Sequence, residues 1–260
     1  MKRIILILLV MVVLIAISFT LLNNEQKISF SDLGEVFIKQ VAVPIPEPEK
    51  IIPQRVGEKI VYDVRLGAAS LGKAVFEYLP SVSLNNKNVN KMMFTTRLVR
   101  FSDIETIYSD PVSNLPIKVE RYVGVWPQPE QIIEEYDQQA YTVNIYKKKG
   151  SKEQTLVFKR EAPLHNAVLL PFFVRDIPDL AVGWTFQAQF PLDAYTISLV
   201  AIEDIKLSSG TFKAFRFESV PKKFEIWVSA DEQRIPLKIK GASGIGYNLV
   251  MKEHQRPSPK

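Results

Sequence analysis

The stretch EKIVYDVRL (58–66) sets Ile60, Tyr62, Val64 and Leu66 against Lys59, Val61, Asp63 and Arg65, the two-residue period of a half-buried strand. AVFEYLPSVSL (74–84) predicts a second strand, being β-branched and aromatic until Pro80. Similar short runs, divided by Asn, Gly, Pro and Asp, follow in KMMFTTRLVRF (91–101), PIKVERYVGVW (116–126), EQIIEEYD (130–137), AYTVNIYKK (140–148) and EQTLVFKR (153–160). The pattern resumes in WTFQAQF (184–190), YTISLVAIEDIKL (195–207), TFKAFRFES (211–219), KFEIWVS (223–229), IPLKIKG (235–241) and GYNLVMK (246–252). One interval breaks it: APLHNAVLLPFFVRDIPDL (162–180) is apolar without alternation, and Pro171 and Pro178 restrict it to a short helix or buried loop. The fold class predicted is mainly β, one strongly curved antiparallel sheet or open barrel over residues 56–252, covered by one short helical or loop segment. Residues 253–260, ending in HQRPSPK, read as a flexible tail.

Ahead of this domain, Lys2 and Arg3 precede a run from Ile4 to Leu22 that holds no charge. A run of that length spans a bilayer, and it continues past the only small-x-small exit site, Ala16-Ile17-Ser18. Residues 1–22 are therefore expected to be an N-terminal transmembrane signal-anchor, with a cleaved signal peptide as the alternative. The positive start places the N-terminus in the cytoplasm and the rest on the far side of the membrane. Residues 23–55 divide into a short amphipathic helix around SDLGEVFIKQ (31–40) and a proline-rich spacer, VPIPEPEKIIPQ (43–54).

The chain contains no cysteine, which excludes disulfides and thiolate metal sites. A formal net charge of +5 is too mild and too dispersed for nucleic acid. Its one basic run, Lys147-Lys148-Lys149, falls where a hairpin turns and is shorter than the usual lipid-headgroup cluster, so it reads as a solvated loop tip.

Catalytic signatures are equally thin. Gly67, Gly72 and Lys73 nearly spell a phosphate-binding loop, but Ala74 stands where the magnesium hydroxyl belongs and a strand follows where a helix should open. Residues 67–73 are expected to connect two antiparallel strands, with Lys73 exposed and no nucleotide bound. Only His165 and His254 are present, too few for a histidine-dependent triad or a zinc site. GASGIG (241–246) has the wrong glycine spacing for a nucleophile elbow. Glu134 and Glu135 point to opposite faces of one strand, a poor glycosidase pair. No catalytic residue, metal or cofactor is expected.

GEKIVYDV (57–64), Gly72-Lys73-Ala74, GTFKA (210–214) and WVSADEQRIP (227–236) together resemble an uncharacterised bacterial envelope family, domain of unknown function 3108. The resemblance implies a strongly curved antiparallel sheet in an envelope protein, so that the anchor would lie in a bacterial inner membrane and the β domain in the periplasm, and it carries no established activity. Its motif residues Gly57, Glu58, Tyr62, Gly72, Gly210, Thr211, Phe212, Asp231, Arg234 and Pro236 have structural roles open to them. Asp231 can close a hairpin turn, Arg234 can pair with an acid on a neighbouring strand, and Pro236 can start one.

A curved sheet leaves a concave face to fill, and Trp126, Phe172, Phe173, Arg175, Trp184 and Trp227 are the side chains expected to line it. Trp227 belongs on the strand face opposite Phe224, Ile226 and Val228. Two functions fit. In one, a membrane-anchored periplasmic domain binds an acyl chain, another lipid or an apolar protein segment beneath residues 164–177. In the other, the core is self-filled and an envelope protein docks on an edge strand or loop.

Overall fold

The computed structural model describes residues 55–241 and 247–257. The expected anchor (1–22) and all but the last residue of the helix-and-spacer segment (23–55) lie outside these residues.

Eight strands come first: β1 (Lys59–Leu66), β2 (Ala69–Leu84), β3 (Lys87–Leu98), β4 (Phe101–Ser109), β5 (Pro116–Val125), β6 (Glu130–Asp137), β7 (Thr142–Lys149) and β8 (Lys152–Lys159). A four-residue helix, α1 (Leu170–Phe173), and a 3-10 turn (Val174–Asp176) follow. The chain ends with β9 (Thr185–Gln189), β10 (Ala194–Leu207), β11 (Gly210–Val220), β12 (Phe224–Ser229), β13 (Pro236–Gly241) and β14 (Asn248–Gln255). All 14 join one antiparallel sheet in the order β8-β7-β6-β5-β4-β3-β2-β1-β14-β13-β12-β11-β10-β9. Every pairing joins strands adjacent in sequence except at the seam, where β1 meets β14 from Lys59↔Gln255 to Arg65↔Asn248.

Local chemistry sets the turns. Asn85 and Asn86, at φ 51° and 62°, form the two-residue connection of β2 to β3, since asparagine tolerates the left-handed region that tight hairpins need. The connection of β1 to β2 is shorter than expected: Gly67 and Ala68 alone make it, and Gly72 and Lys73 lie inside β2. Gly72 is there for space, because a Cβ at that position would sit 2.1 Å from the Arg97 carbonyl oxygen on β3. Lys73 is exposed, as expected.

Trp227 of β12 and Val143 of β7 belong to one buried cluster, although a flat sheet would hold those strands roughly 40 Å apart at its usual strand spacing. The sheet therefore curls over on itself without closing: β8 and β9 are its edges. A second cluster gathers Phe186, Ile197, Leu199, Phe215, Phe217, Ile226 and Val228. The segment between β8 and β9 is wedged against both, with Leu164, Leu169 and Phe172 in the first and Leu170 and Val174 in the second. The tail expected from residue 253 is strand as far as Gln255, because Lys59, Ile60 and Val61 pair with Gln255, His254 and Glu253.

Candidate functional site

Residues 164–177 are expected to cover the curved face, and α1 brings Phe172 onto it. Its ring stacks on Phe76 of β2 with centroids 3.7 Å apart and meets Tyr78 edge-on. Asn166 shapes the approach, its Oδ1 accepting from the Val168 and Leu169 amides. Just beyond α1, Arg175 donates from Nη1 and Nη2 to the two oxygens of Glu58, 2.9 Å each, and from Nη2 to the Gln233 carbonyl. His254 of β14 donates from Nε2 to the same carboxylate at 2.8 Å. Burial alone would raise the Glu58 pKa, but the hydrogen bonds of His254 and Arg175 outweigh it and hold the carboxyl at about 2.

Other contacts fix the same pole of the sheet. Arg55 pairs with Asp176 at 2.7 Å, and Asn114 donates to Asp176 at 2.8 Å. Among the described residues, Arg234 pairs with no acid on a neighbouring strand. Its Nη1 donates to the carbonyls of Arg175 and Ile177, so it clamps the cover segment. Tyr62 donates to the Pro236 carbonyl at 3.0 Å, and Gly57 N–H to the Tyr78 carbonyl at 2.9 Å. Asp231 closes the turn after β12 by accepting from the Gln233 and Arg234 amides and from Ser229 Oγ. Gly57, Glu58, Tyr62, Asp231, Arg234 and Pro236 thus converge around the cover segment. Gly210, Thr211 and Phe212 stand apart at the hairpin of β10 and β11, where Gly210 adopts φ 136° and Phe212 packs on the first core cluster.

A second polar group lies on the core face of β4, β5 and β6, where Glu105↔Arg121, Ile107↔Val119 and Val119↔Glu134 are cross-strand pairs. Arg121 grips Asp103 with Nε at 2.8 Å and Nη2 at 2.5 Å, and its Nε lies 3.8 Å from Glu105. Asn166 Nδ2 donates to Glu105 at 3.2 Å, and the Tyr136 hydroxyl donates to Glu134. Burial pushes Glu105 up to about 7; the Arg121 charge opposes this, and Glu134 and Asp103 add to it. Burial raises the pKa of the Tyr247 hydroxyl, the Arg121 charge opposes this, and Asp103 and Glu105 add to it. The Arg121 side chain is 38% accessible, and Tyr247 as a residue 49%.

The six residues expected to line one face are divided. Phe172 and Trp227 enter the first core cluster; Trp227, on the face opposite Ile226 and Val228 as expected, donates Nε1 to Glu203 at 2.7 Å. Phe173 and Trp184 pack on the second cluster, and Arg175 is an ion-pair partner. Trp126 is outside altogether: β5 ends at Val125, and the indole is 81% exposed in the following turn. An open groove of about 290 Å³ runs over β4–β6, lined chiefly by Ile104, Thr106, Glu120, Tyr122 and Ile133 of the face opposite the core.

His165 sits among Phe173, Phe186 and Phe190, and burial lowers its pKa to about 4, so it is neutral at physiological pH. Among the described residues no group of three His, Cys, Asp or Glu side chains could hold a metal ion. The charged groups answer one another, an arrangement that fixes geometry or orients a polar ligand atom.

Residues 61–252 match the family described as "Protein of unknown function (DUF3108)". No curated protein matches the chain. The crystal structure of a β-barrel-like protein of domain of unknown function DUF1849 from Brucella abortus is similar, with a TM-score of 0.50 at 10% identity. The alignment covers 78% of this chain and 99% of that one, a likeness of fold alone.

Proposed function

Since the chain belongs to the DUF3108 family, which assigns a domain and no activity, we propose that it is a non-enzymatic structural or assembly module of the cell envelope. In this reading it is tethered to the inner membrane through residues 4–22, with the β domain on the periplasmic side. The observation that carries it is the stacking of Phe172 on Phe76: the cover segment occupies with its own side chains the apolar face that a ligand would need. The working surface is then the edge of β8, which pairs only with β7 among the described residues. On the other edge, Leu164 bridges Gln189 of β9, and the His165 amide donates to the Gln189 carbonyl at 2.7 Å. The outer backbone groups of β8 are positioned for an added strand from a partner.

The test places a photo-crosslinking amino acid at Thr155 or Val157 in cells. A reproducible protein adduct from β8, lost when Glu153→Pro removes an outward-facing edge amide, supports the reading. Lipid adducts alone would sink it.

A second reading, an acyl chain or other apolar ligand held inside the curved sheet, draws on the accessible surface of Arg121 and Tyr247 beside the core. Native mass spectrometry that finds a co-purified lipid, displaced by Arg121→Ala, would favour it.

A further inference from the structure

Consecutive hairpins of a meander put alternate turns at the same end of the sheet. Phe101↔Val125, Val123↔Glu130, Glu130↔Lys149 and Lys149↔Lys152 align the turns β3–β4, β5–β6 and β7–β8 side by side. The last two touch: a Cβ built on Gly150 would lie 2.8 Å from Gln128 Oε1. Two of these tips carry large apolar side chains thrust into solvent, Val99 at 89% and Trp126 at 81% exposed. Arg97, Arg100, Lys148, Lys149 and Lys152 surround them, against Glu130 and Glu153 as the acids beside them.

Single exposed apolar residues are ordinary. Here a tryptophan and a valine occupy neighbouring tips within a basic field, and the other end of the same strands offers a control. Its turns, Asn85-Asn86, 110–115 and 138–141, contain no basic residue, and the bases on their flanks, Lys87, Lys159 and Arg160, lie at opposite sides of that end with no exposed tryptophan beside them. Tryptophan beside lysine and arginine is the chemistry of the membrane interface, where the indole enters the headgroup layer and the cations meet anionic lipid. The Lys147–Lys149 run alone falls short of that. Once the fold adds Arg97, Arg100 and Lys152, the run belongs to a cluster of the size such surfaces need.

We propose that the turns β3–β4, β5–β6 and β7–β8 form a docking rim for the surface of an anionic lipid bilayer, with Trp126 and Val99 entering the headgroup layer. The proposal is independent of the β8 edge and of any ligand in the interior.

The chain has no cysteine, so Val99→Cys gives a single attachment point for a polarity-sensitive fluorophore in the full-length protein. Residues 4–22 are apolar enough to enter any vesicle, so the readout is the label and not capture. Phosphatidylcholine vesicles doped with phosphatidylglycerol should shift the Val99 label to the blue, and phosphatidylcholine alone should not. A label at Lys87→Cys, at the other end of the strands, should stay unchanged. Combining Arg100→Ser, Lys149→Ser and Lys152→Ser should weaken the response on the order of a hundredfold, following the usual contribution of a basic residue near an anionic surface. High salt should abolish it. Equal response to both vesicle types, indifference to the three substitutions, or a response only when envelope proteins are added would each overturn the proposal.

Discussion

Arg175 and Glu58, 117 residues apart, meet in a two-point salt bridge with 3% of either side chain exposed. One partner comes from the cover segment and the other from the residue preceding β1, so the bridge fastens the cover to the seam of the sheet. Two charges removed from water on that scale depend on each other, and His254 supplies a further donor to the same carboxylate.

Removing one side of the bridge should therefore cost more than removing both. Arg175→Met leaves Glu58 buried and short of its main partner, and urea denaturation should show a loss of about 3–5 kcal/mol. Glu58→Met combined with Arg175→Met should recover part of that loss. A double variant no more stable than Arg175→Met alone would show that packing, not charge, holds the segment.

Two buried carboxyls give opposite pH responses. Glu58 is held below its ordinary 4.5, at about 2, so its contribution is present above pH 4.5 and fades as pH falls through 2. Glu105 is raised to about 7, so the folded state binds the extra proton and stability declines as pH rises from 4.5 through 7. Glu105→Gln should therefore stabilise the protein relative to wild type at mildly alkaline pH by more than at mildly acidic pH. Chemical denaturation at either end of that window checks it, and an identical difference at both ends would be the contrary result.

Phe172→Ala removes a ring stacked on Phe76 within the first core cluster. The expected loss is about 3–5 kcal/mol, the range for large aromatic truncations in a packed core. The same variant should bind xenon or benzene where the wild type does not. A loss below about 1 kcal/mol would mean that the cover is not packed as part of the core.

The Gly72-Lys73 pair separates a packing role from a nucleotide role. Gly72→Ala must displace the Arg97 carbonyl or the Leu98 side chain and should cost about 1–3 kcal/mol, as overpacked sites do. Lys73→Ala changes one exposed charge and should stay within about 0.5 kcal/mol. Micromolar ATP binding that vanished with Lys73→Ala would contradict this.

The alternation of Ile60, Tyr62 and Val64 made β1 legible, and similar periods gave most of the other strands. β4 was missed because Asp103 and Glu105 occupy its core-facing positions, so the two-residue rhythm is carried partly by acids. Trp126 was misplaced because it follows an alternating run by one residue, and its bulk argued for burial; the strand stops at Val125. The partnership of Glu58 and Arg175 had a signal that went unread. The rhythm of Ile60, Tyr62 and Val64 extrapolates to a buried Glu58, which needs a cation, and Arg175 is the basic residue within an apolar segment. Which two charges met was beyond the pattern, since only the curl of the sheet joins residues so distant in sequence.

The seam has a consequence in time. Every other pairing joins strands adjacent in the chain, so two meanders can form rapidly and locally, β1 to β8 and β9 to β14. β1 alone must wait for the last strand to be synthesised, because its second neighbour is β14 and the Glu58–His254 contact spans 196 residues. Until then the strand destined for the middle of the sheet is a temporary edge. An unfinished chain is thus exposed to mispairing at a strand that the finished one pairs on both sides, and the closing of Lys59 on Gln255 is the step that removes this edge.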